Sequence, residues 1–331
     1  RRQENLSGGG TSSGLMSFAS RGEVLQPVVH LTPGSGGGQV LAVSDRGMDF
    51  QPHATLISFS VVNAAGPGAA TFSASTTINV DPYKVPINPP QPNGFDDLDD
   101  GDARFSATVY QVGNTLYAVH AIDVNDLAAV RWYKIDATTL AVVQSGTITN
   151  SELDLFYPSI AANAAGLVVI GCNGCSSNTF VSSFAFVGET INGVTTFSDP
   201  ILLKSGTASY RDLTGVVSRW GDYSATSLDP ADPNRFWTIQ MVPVGTTTWT
   251  TQITELIVNR PRLSIATTPG NVTITWPSAA SGFQLQTAAP LTAAPAWSTV
   301  SQTPATNSGQ ISVTLPASAA GEFFRLIQQP Q

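Results

Sequence analysis

The chain has 331 residues, only 11% of them charged, and a formal net charge of −8. That length can bury a sizeable core and suits two domains. Nucleic-acid backbones and anionic membrane surfaces are gripped through Lys and Arg, so an acidic chain with 15 scattered basic residues is expected to bind neither.

The 29 Gly and 22 Pro are spread along the chain, which points to many turns. With abundant Ser, Thr, Ala and Val, this composition suits short strands rather than helices. The longest apolar runs, such as 166–172, are far below the roughly 20 residues of a membrane-spanning helix, so no membrane insertion is expected. The chain opens on Arg1 without a signal peptide, which reads as a removed leader or an absent first segment. Scarce Lys and plentiful Ser/Thr favour an exported protein, secreted or held at the cell surface.

In chain order, residues 1–22 (with NLSGGGTSSG) read as a flexible arm, or as a strand completing a sheet elsewhere. A first group of strands is predicted over 26–31, 39–44, 54–63 and 71–80, followed by the extended Pro-rich connection DPYKVPINPPQPNG. A second group covers 103–111, 115–122, 128–135 and 140–148, its first hairpin marked by Gly113-Asn114. A third covers 157–162, 166–172, 179–187 and 195–203. A fourth covers 220–227, 235–242 and 247–258.

Recurring small meanders, none stable alone, are the mark of a β-propeller. The predicted fold is therefore all-β: a propeller over 23–259 with four blades visible, then a small β-sandwich over 262–331. Four blades are few for a closed ring. The expectation includes an incomplete propeller, completed by a missing N-terminal segment or by self-association. The last 70 residues show six short runs of immunoglobulin- or fibronectin-like type.

RWGDYSATSLDPADPNRFW (219–237), FYPSIAAN (156–163) and DARFSATVYQVGNTLYAVH (102–120) resemble a group of uncharacterised exported bacterial β-propeller proteins. More distantly the chain resembles sialidase-like propellers. Residues 262–331, ending in EFFRLIQ, are similar to a short C-terminal module of large secreted bacterial proteins. Ser227, Asp229 and Trp237 match a sialidase Asp box in kind, although the Gly is missing and the spacing is longer. No Arg-Ile-Pro motif occurs, so the resemblance implies a fold and no activity.

Five carboxylates, Asp96, Asp97, Asp99, Asp100 and Asp102, fall within seven residues. Hard Ca²⁺ takes several loop oxygens, so calcium is one reading; a solvated acidic loop is the other. Asp229, Asp232 and Asn234 read as turn caps, with calcium as the alternative. Cys172-Asn173-Gly174-Cys175 centres on a turn-forming Asn-Gly pair, and the leading reading is a disulfide across it.

In a propeller the first strand of each blade starts near the axis. That would gather Asp102, Arg104, Tyr157, Arg219, Trp220, Asp222 and Tyr223; His120, on an inner strand, reads first as a buried, hydrogen-bonded core residue and otherwise as one reaching the same centre. Arg and aromatic side chains suit sugar- or carboxylate-bearing ligands. The competing reading makes Arg219–Asp222 an ion pair between blades and Trp220 core. The leading functional expectation is an extracellular binding or scaffolding protein for glycans or other surface polymers. The alternatives are a glycoside hydrolase or lyase using Asp102 and Asp222 as its carboxylate pair, and a structural, filament-forming subunit.

Overall fold

The computed structural model describes residues 21–30, 38–62, 71–213, 215, 217–258, 261–280, 282–288, 296–318 and 321–328. The predicted arm lies outside these residues except for its last two. The chain divides into two compact units, residues 1–258 and 259–331. Among the described residues all regular structure is strand, apart from two short 3-10 turns, and no helix is long and apolar enough to cross a membrane.

In the first unit, β1 (Glu23–His30), β2 (Gln39–Val43), β3 (His53–Val62), β4 (Thr71–Phe72) and β5 (Thr76–Tyr83) form the first predicted group. The second is β6 (Val109–Val112), β7 (Thr115–Val124), β8 (Leu127–Asp136) and β9 (Val142–Ile148), a meander whose first turn is Gly113-Asn114. These two groups are not separate sheets. β1 and β6 pair in parallel, Val28 opposite Val109 through His30 opposite Gln111, giving one nine-stranded sheet. An edge strand presents unpaired N–H and C=O groups, and here each edge satisfies the other.

The third group is β10 (Asp154–Ala162), β11 (Leu167–Ser176), β12 (Thr179–Ile191), β13 (Val194–Phe197) and β14 (Ile201–Lys204). The fourth is β15 (Ala225–Leu228), β16 (Arg235–Gly245) and β17 (Thr248–Ile257). Among the described residues no sheet closes on itself. The groups pack face to face in chain order. Leu41, Val43 and Leu56 meet Leu116, Ala118 and Tyr133, while Tyr117, Val119 and Trp132 on the opposite face of the meander meet Ile160, Ile170 and Phe186.

The β10, β11 and central β12 part of the β10–β14 sheet is therefore covered on both sides. Every residue of β10 and all but the last of β11 are buried, and their sequences read as runs of apolar and small residues rather than alternations. The layer beyond it is not purely apolar. Ser159, Thr226, Thr238, Gln240 and Ser183 are buried and joined by hydrogen bonds of 2.8, 2.9, 2.6 and 2.6 Å in that order. A Cβ on Gly171 would stand 2.1 Å from Thr238 Oγ1 and 2.4 Å from Gln240 Nε2, so only glycine leaves room for this ladder. β17 has a solvent face and returns to alternation.

The second unit contains β18 (Ser264–Thr268), β19 (Asn271–Pro277), β20 (Phe283–Ala288), β21 (Ser298–Thr299), β22 (Ala305–Asn307), β23 (Gln310–Pro316) and β24 (Phe323–Gln328). They form two sheets, β18-β19-β23-β22 and β21-β20-β24, around Ile274, Trp276, Leu285, Ile311, Val313 and Leu315. This is a small sandwich, and β22 is its one strand absent from the sequence reading.

His120 is core, as its leading reading has it, and does not reach a ligand-binding centre. Its ring is fully buried, stacked edge-on to Tyr83 at 4.9 Å, with Nδ1 2.7 Å from the Ala103 carbonyl and Nε2 3.0 Å from the Tyr133 hydroxyl. A carbonyl can only accept, so Nδ1 carries the proton and Nε2 accepts from the tyrosine. Burial lowers its pKa from 6.5 to about 4, against the opposing pull of the Ala103 bond. A base depressed by folding contributes stability above its unfolded pKa, and that contribution is lost as pH falls from 6.5 through about 4. Urea unfolding at pH 7 and pH 4 should show a loss on the order of 3 kcal/mol from this group. His120→Gln, less stable at pH 7, should show a shallower decline, and an unchanged slope would remove the histidine from the account.

Candidate functional site

The site grows from a bulge in β10. The register of β10 on β11 shifts between Phe156 and Ser159, and Tyr157 takes φ 47°. Positive φ is strained for an aromatic residue, more so immediately before a proline. A bulge re-aims the side chain it carries, and surrounding contacts must hold the strained backbone. Two loops do this. Ser224 donates to the Tyr157 carbonyl at 2.7 Å, and Ser106 donates to the Pro158 carbonyl at 3.2 Å.

The same loops enclose the Tyr157 ring. A Cβ on Gly101 (φ +85°) would stand 3.1 Å from Tyr157 Cε1, and one on Gly221 (φ +59°) would stand 3.0 Å from Cδ2. Gly221 is the centre of a three-residue turn closed by the Asp222 N–H on the Trp220 carbonyl at 2.8 Å. The two loops are also tied directly. Leu98 and Ser218 form a parallel bridge, with Asp99 N–H on the Ser218 carbonyl at 2.8 Å and Ser218 N–H on the Asp97 carbonyl at 2.9 Å. Gln91 adds an amide clasp, donating to the Asp96 and Tyr210 carbonyls and accepting from the Tyr210 N–H.

The structure thus brings Asp102, Arg104, Tyr157, Arg219, Asp222 and Tyr223 into one neighbourhood, though not in the roles expected for all of them. Arg104 forks onto Asp102 at 2.7 and 2.6 Å, and the Asp102 side chain is 1% exposed. Arg219 and Asp222 pair at 2.9 Å in the open, and Tyr223 is 60% exposed. The Asp102 carboxylate keeps Arg104 firmly charged, with Tyr157 and Tyr223 acting on the same guanidinium. Trp220 is a correction: it is buried and its indole N–H donates to Asn173 Oδ1 at 3.2 Å, so it anchors the loop and cannot meet a ligand. Tyr157 is also buried, its hydroxyl raised by burial and then by Asp99, Asp222 and Asp100. Asp102, locked under Arg104, is not placed to serve as half of a catalytic carboxylate pair.

The five-aspartate run does not converge as a set. Asp96 pairs with Arg211 at 2.9 Å, Asp99 Oδ1 accepts the Gly101 N–H at 2.8 Å, Asp97 is exposed, and Asp102 belongs to Arg104. Asp100 alone is buried without a partner, and burial followed by Asp99, Asp154 and Asp102 pushes its carboxyl up to about 8. The sequence reading missed Asp154 and Ser218. Asp154 is buried, accepts the Ala128 N–H at 2.8 Å, and is raised by desolvation. Its one sequence signal is a lone charge at the head of the run DLFYP. Asp45, Asp49 and His53 have ligand atoms within 4.8 Å of one another and could hold a metal. His53 Nε2 lies 2.9 Å from Asp49 Oδ1 and 3.8 Å from Asp45 Oδ1, in a turn those aspartates also cap.

Around Asp229 the turn reading holds: its Oδ1 accepts the Ala231 and Asp232 N–H groups, and Trp237 Nε1 donates to Oδ2 at 2.9 Å. Asn234 donates its N–H to Asp232 Oδ1 at 3.0 Å.

No protein-family model and no curated protein matches the chain. Among solved structures it is similar to the crystal structure of a protein of unknown function from Dyadobacter fermentans DSM 18053. That match has 14% identity and a TM-score of 0.36, covering 76% of this chain and 71% of that one.

The disulfide expectation fails. Cys172 and Cys175 are free, buried thiols inside β11, and Asn173-Gly174 continues the strand opposite Ser183 and Ser182. Residues three apart on a strand point to opposite faces and lie about 10 Å apart, beyond bridging range. Burial pushes the Cys172 thiol up to about 12 and raises Cys175 likewise, with Asp154, Asp100 and Asp97 adding to the second. The native protein should be inert to an aromatic disulfide reagent, and two thiols per chain should react after unfolding without reductant. Fewer than two in the unfolded chain would reinstate the bridge.

Proposed function

We propose that this is an extracellular or cell-surface binding protein for glycans or other surface polymers, its face-to-face sheets acting as propeller blades. The observation that carries the reading is Tyr223, an exposed ring beside the exposed Arg219–Asp222 pair and the half-buried Arg104–Asp102 fork. An aromatic face takes the apolar side of a sugar ring. Guanidinium and carboxylate groups held in ion pairs offer donors and acceptors to hydroxyls or to a uronic carboxylate. The groups are preorganised, because Gly221 and Asp222 form a tight turn seated on buried Tyr157 and Trp220.

A hydrolase or lyase at this patch is disfavoured, since one carboxylate of the candidate pair is buried under Arg104 and the other is paired with Arg219. Tyr223→Ala and Arg219→Ala, both at exposed positions, should leave stability within about 0.5 kcal/mol. Each should weaken binding on a glycan array, followed by calorimetry, by about tenfold or more. Full binding by both variants would move the site elsewhere.

A second reading, self-association, has its own observation. The outer face of β16 and β17 aligns Trp237, Trp249, Ile253 and Ile257, with exposures of 37, 52, 60 and 53%. Sedimentation velocity should show concentration-dependent association that Ile253→Ser with Ile257→Ser abolishes. A wild-type monomer at high concentration would rule this reading out.

A further inference from the structure

The loop running from Asp96 to Asp102 holds more buried oxygen than the protein's own donors satisfy. Asp100 is 2% exposed, and neither carboxylate oxygen has a hydrogen-bond partner. Two side chains from distant parts of the chain share that condition, Tyr157 Oη at 3% exposure and Ser218 Oγ at 0%. Both adjoin Asp100 through its immediate neighbours. Asp99 donates its N–H to the Ser218 carbonyl, and a Cβ on Gly101 would stand 3.2 Å from Tyr157 Oη.

Buried polar atoms are normally paired, and each orphan is destabilising. The three groups sit at or beside residues 99–101 and none is hydrogen-bonded to another, which leaves their lone pairs open to a hard cation. The charge balance points the same way. Arg104 answers Asp102 and Arg211 answers Asp96, while no ion pair among the described residues answers Asp99, Asp100 or Asp154.

We propose that a calcium ion binds at this junction, held by the Asp100 carboxylate and the Tyr157 and Ser218 hydroxyls, with backbone carbonyls or water completing its shell. An all-oxygen set selects a hard cation, and a buried loop of irregular geometry suits Ca²⁺ better than Mg²⁺, which keeps its water and demands an octahedron. With one carboxylate as direct ligand the affinity falls in the weak range, about 10⁻⁴–10⁻³ M. The ion joins three segments, the 96–102 loop, the bulge of β10 and the 217–224 loop, that no covalent link joins. This inference does not rest on glycan binding.

The test uses the full chain, stripped with EDTA and dialysed, then titrated with calcium chloride by calorimetry and thermal unfolding. One site per chain is expected, and 10 mM calcium should raise the unfolding midpoint by about 3–6 °C, with a smaller shift from magnesium. Asp100→Asn should lose the calcium shift while unfolding no lower than the calcium-free wild type, because it replaces an unpartnered buried carboxyl with a neutral amide of the same shape. Tyr157→Phe, which keeps the ring between its glycines, should weaken calcium several-fold, and should do so even if Asp100→Asn fails to fold. Asp49→Asn, at the exposed member of the Asp45, Asp49 and His53 cluster, should leave the shift intact. The proposal is overturned by no calcium binding to the wild type, by an undiminished shift in Asp100→Asn and Tyr157→Phe, or by loss of the shift in Asp49→Asn.

Discussion

The centre of the β10–β14 sheet, which has no solvent face, governs this structure. Once β10, β11 and the middle of β12 are covered on both sides, every polar group in them must be answered from a neighbouring layer, because an orphan in a dry interior destabilises the fold. The ladder from Ser159 through Thr226, Thr238 and Gln240 to Ser183 is that answer on one side. Asn173 is another, donating to the Met241 carbonyl at 2.9 Å and accepting from the Trp220 indole. These bonds cross between layers and are directional, so they set how one sheet lies on the next. Apolar contact alone would permit sliding.

The same constraint explains where the sequence was readable. Strands with one wet face alternate, and β3, β16 and β17 were each placed to within a residue or three of their observed ends. β11 does not alternate, and there Asn-Gly, a strong turn signal in a hairpin, was misread. Local propensity lost to burial: Asn173 is held by bonds to two other strands and Gly174 packs beneath Phe184 and Leu155. The stretches 103–106 and 220–224 failed in the opposite way. They look like strand openings because they alternate with large apolar residues, yet Phe105 and Trp220 are buried by loops that cover the sheet ends and follow no ladder.

The candidate site was legible as a set of residue types and illegible as a geometry. Arg, Asp and Tyr at the heads of three groups marked the segments that meet at Tyr157. Which of those side chains faces water depends on two positive-φ glycines and one bulge, none of which has a periodic signature. Trp220 and Tyr223 are three residues apart in one loop, and a turn at Gly221 sends the first inward and leaves the second outward. Ser218 and Asp154 matter through contacts far off in sequence, Ser218 with Leu98 and Asp154 with Ala128 and Asp100, so no local pattern could single them out.

The strain at Tyr157 links the buried part of the site to the exposed part. A non-glycine residue at positive φ before proline persists only if its surroundings hold it there, and here the holding groups are Ser106, Gly101, Gly221 and Ser224. Those residues belong to the loops that present Arg104 and Tyr223. Anything that loosens the packing around the phenol therefore releases both loops, and anything that tightens it fixes the surface groups without touching them. A surface patch built on loops would ordinarily lose much of its binding energy to ordering. This one has that ordering supplied in advance by a strained tyrosine wedged between two glycines.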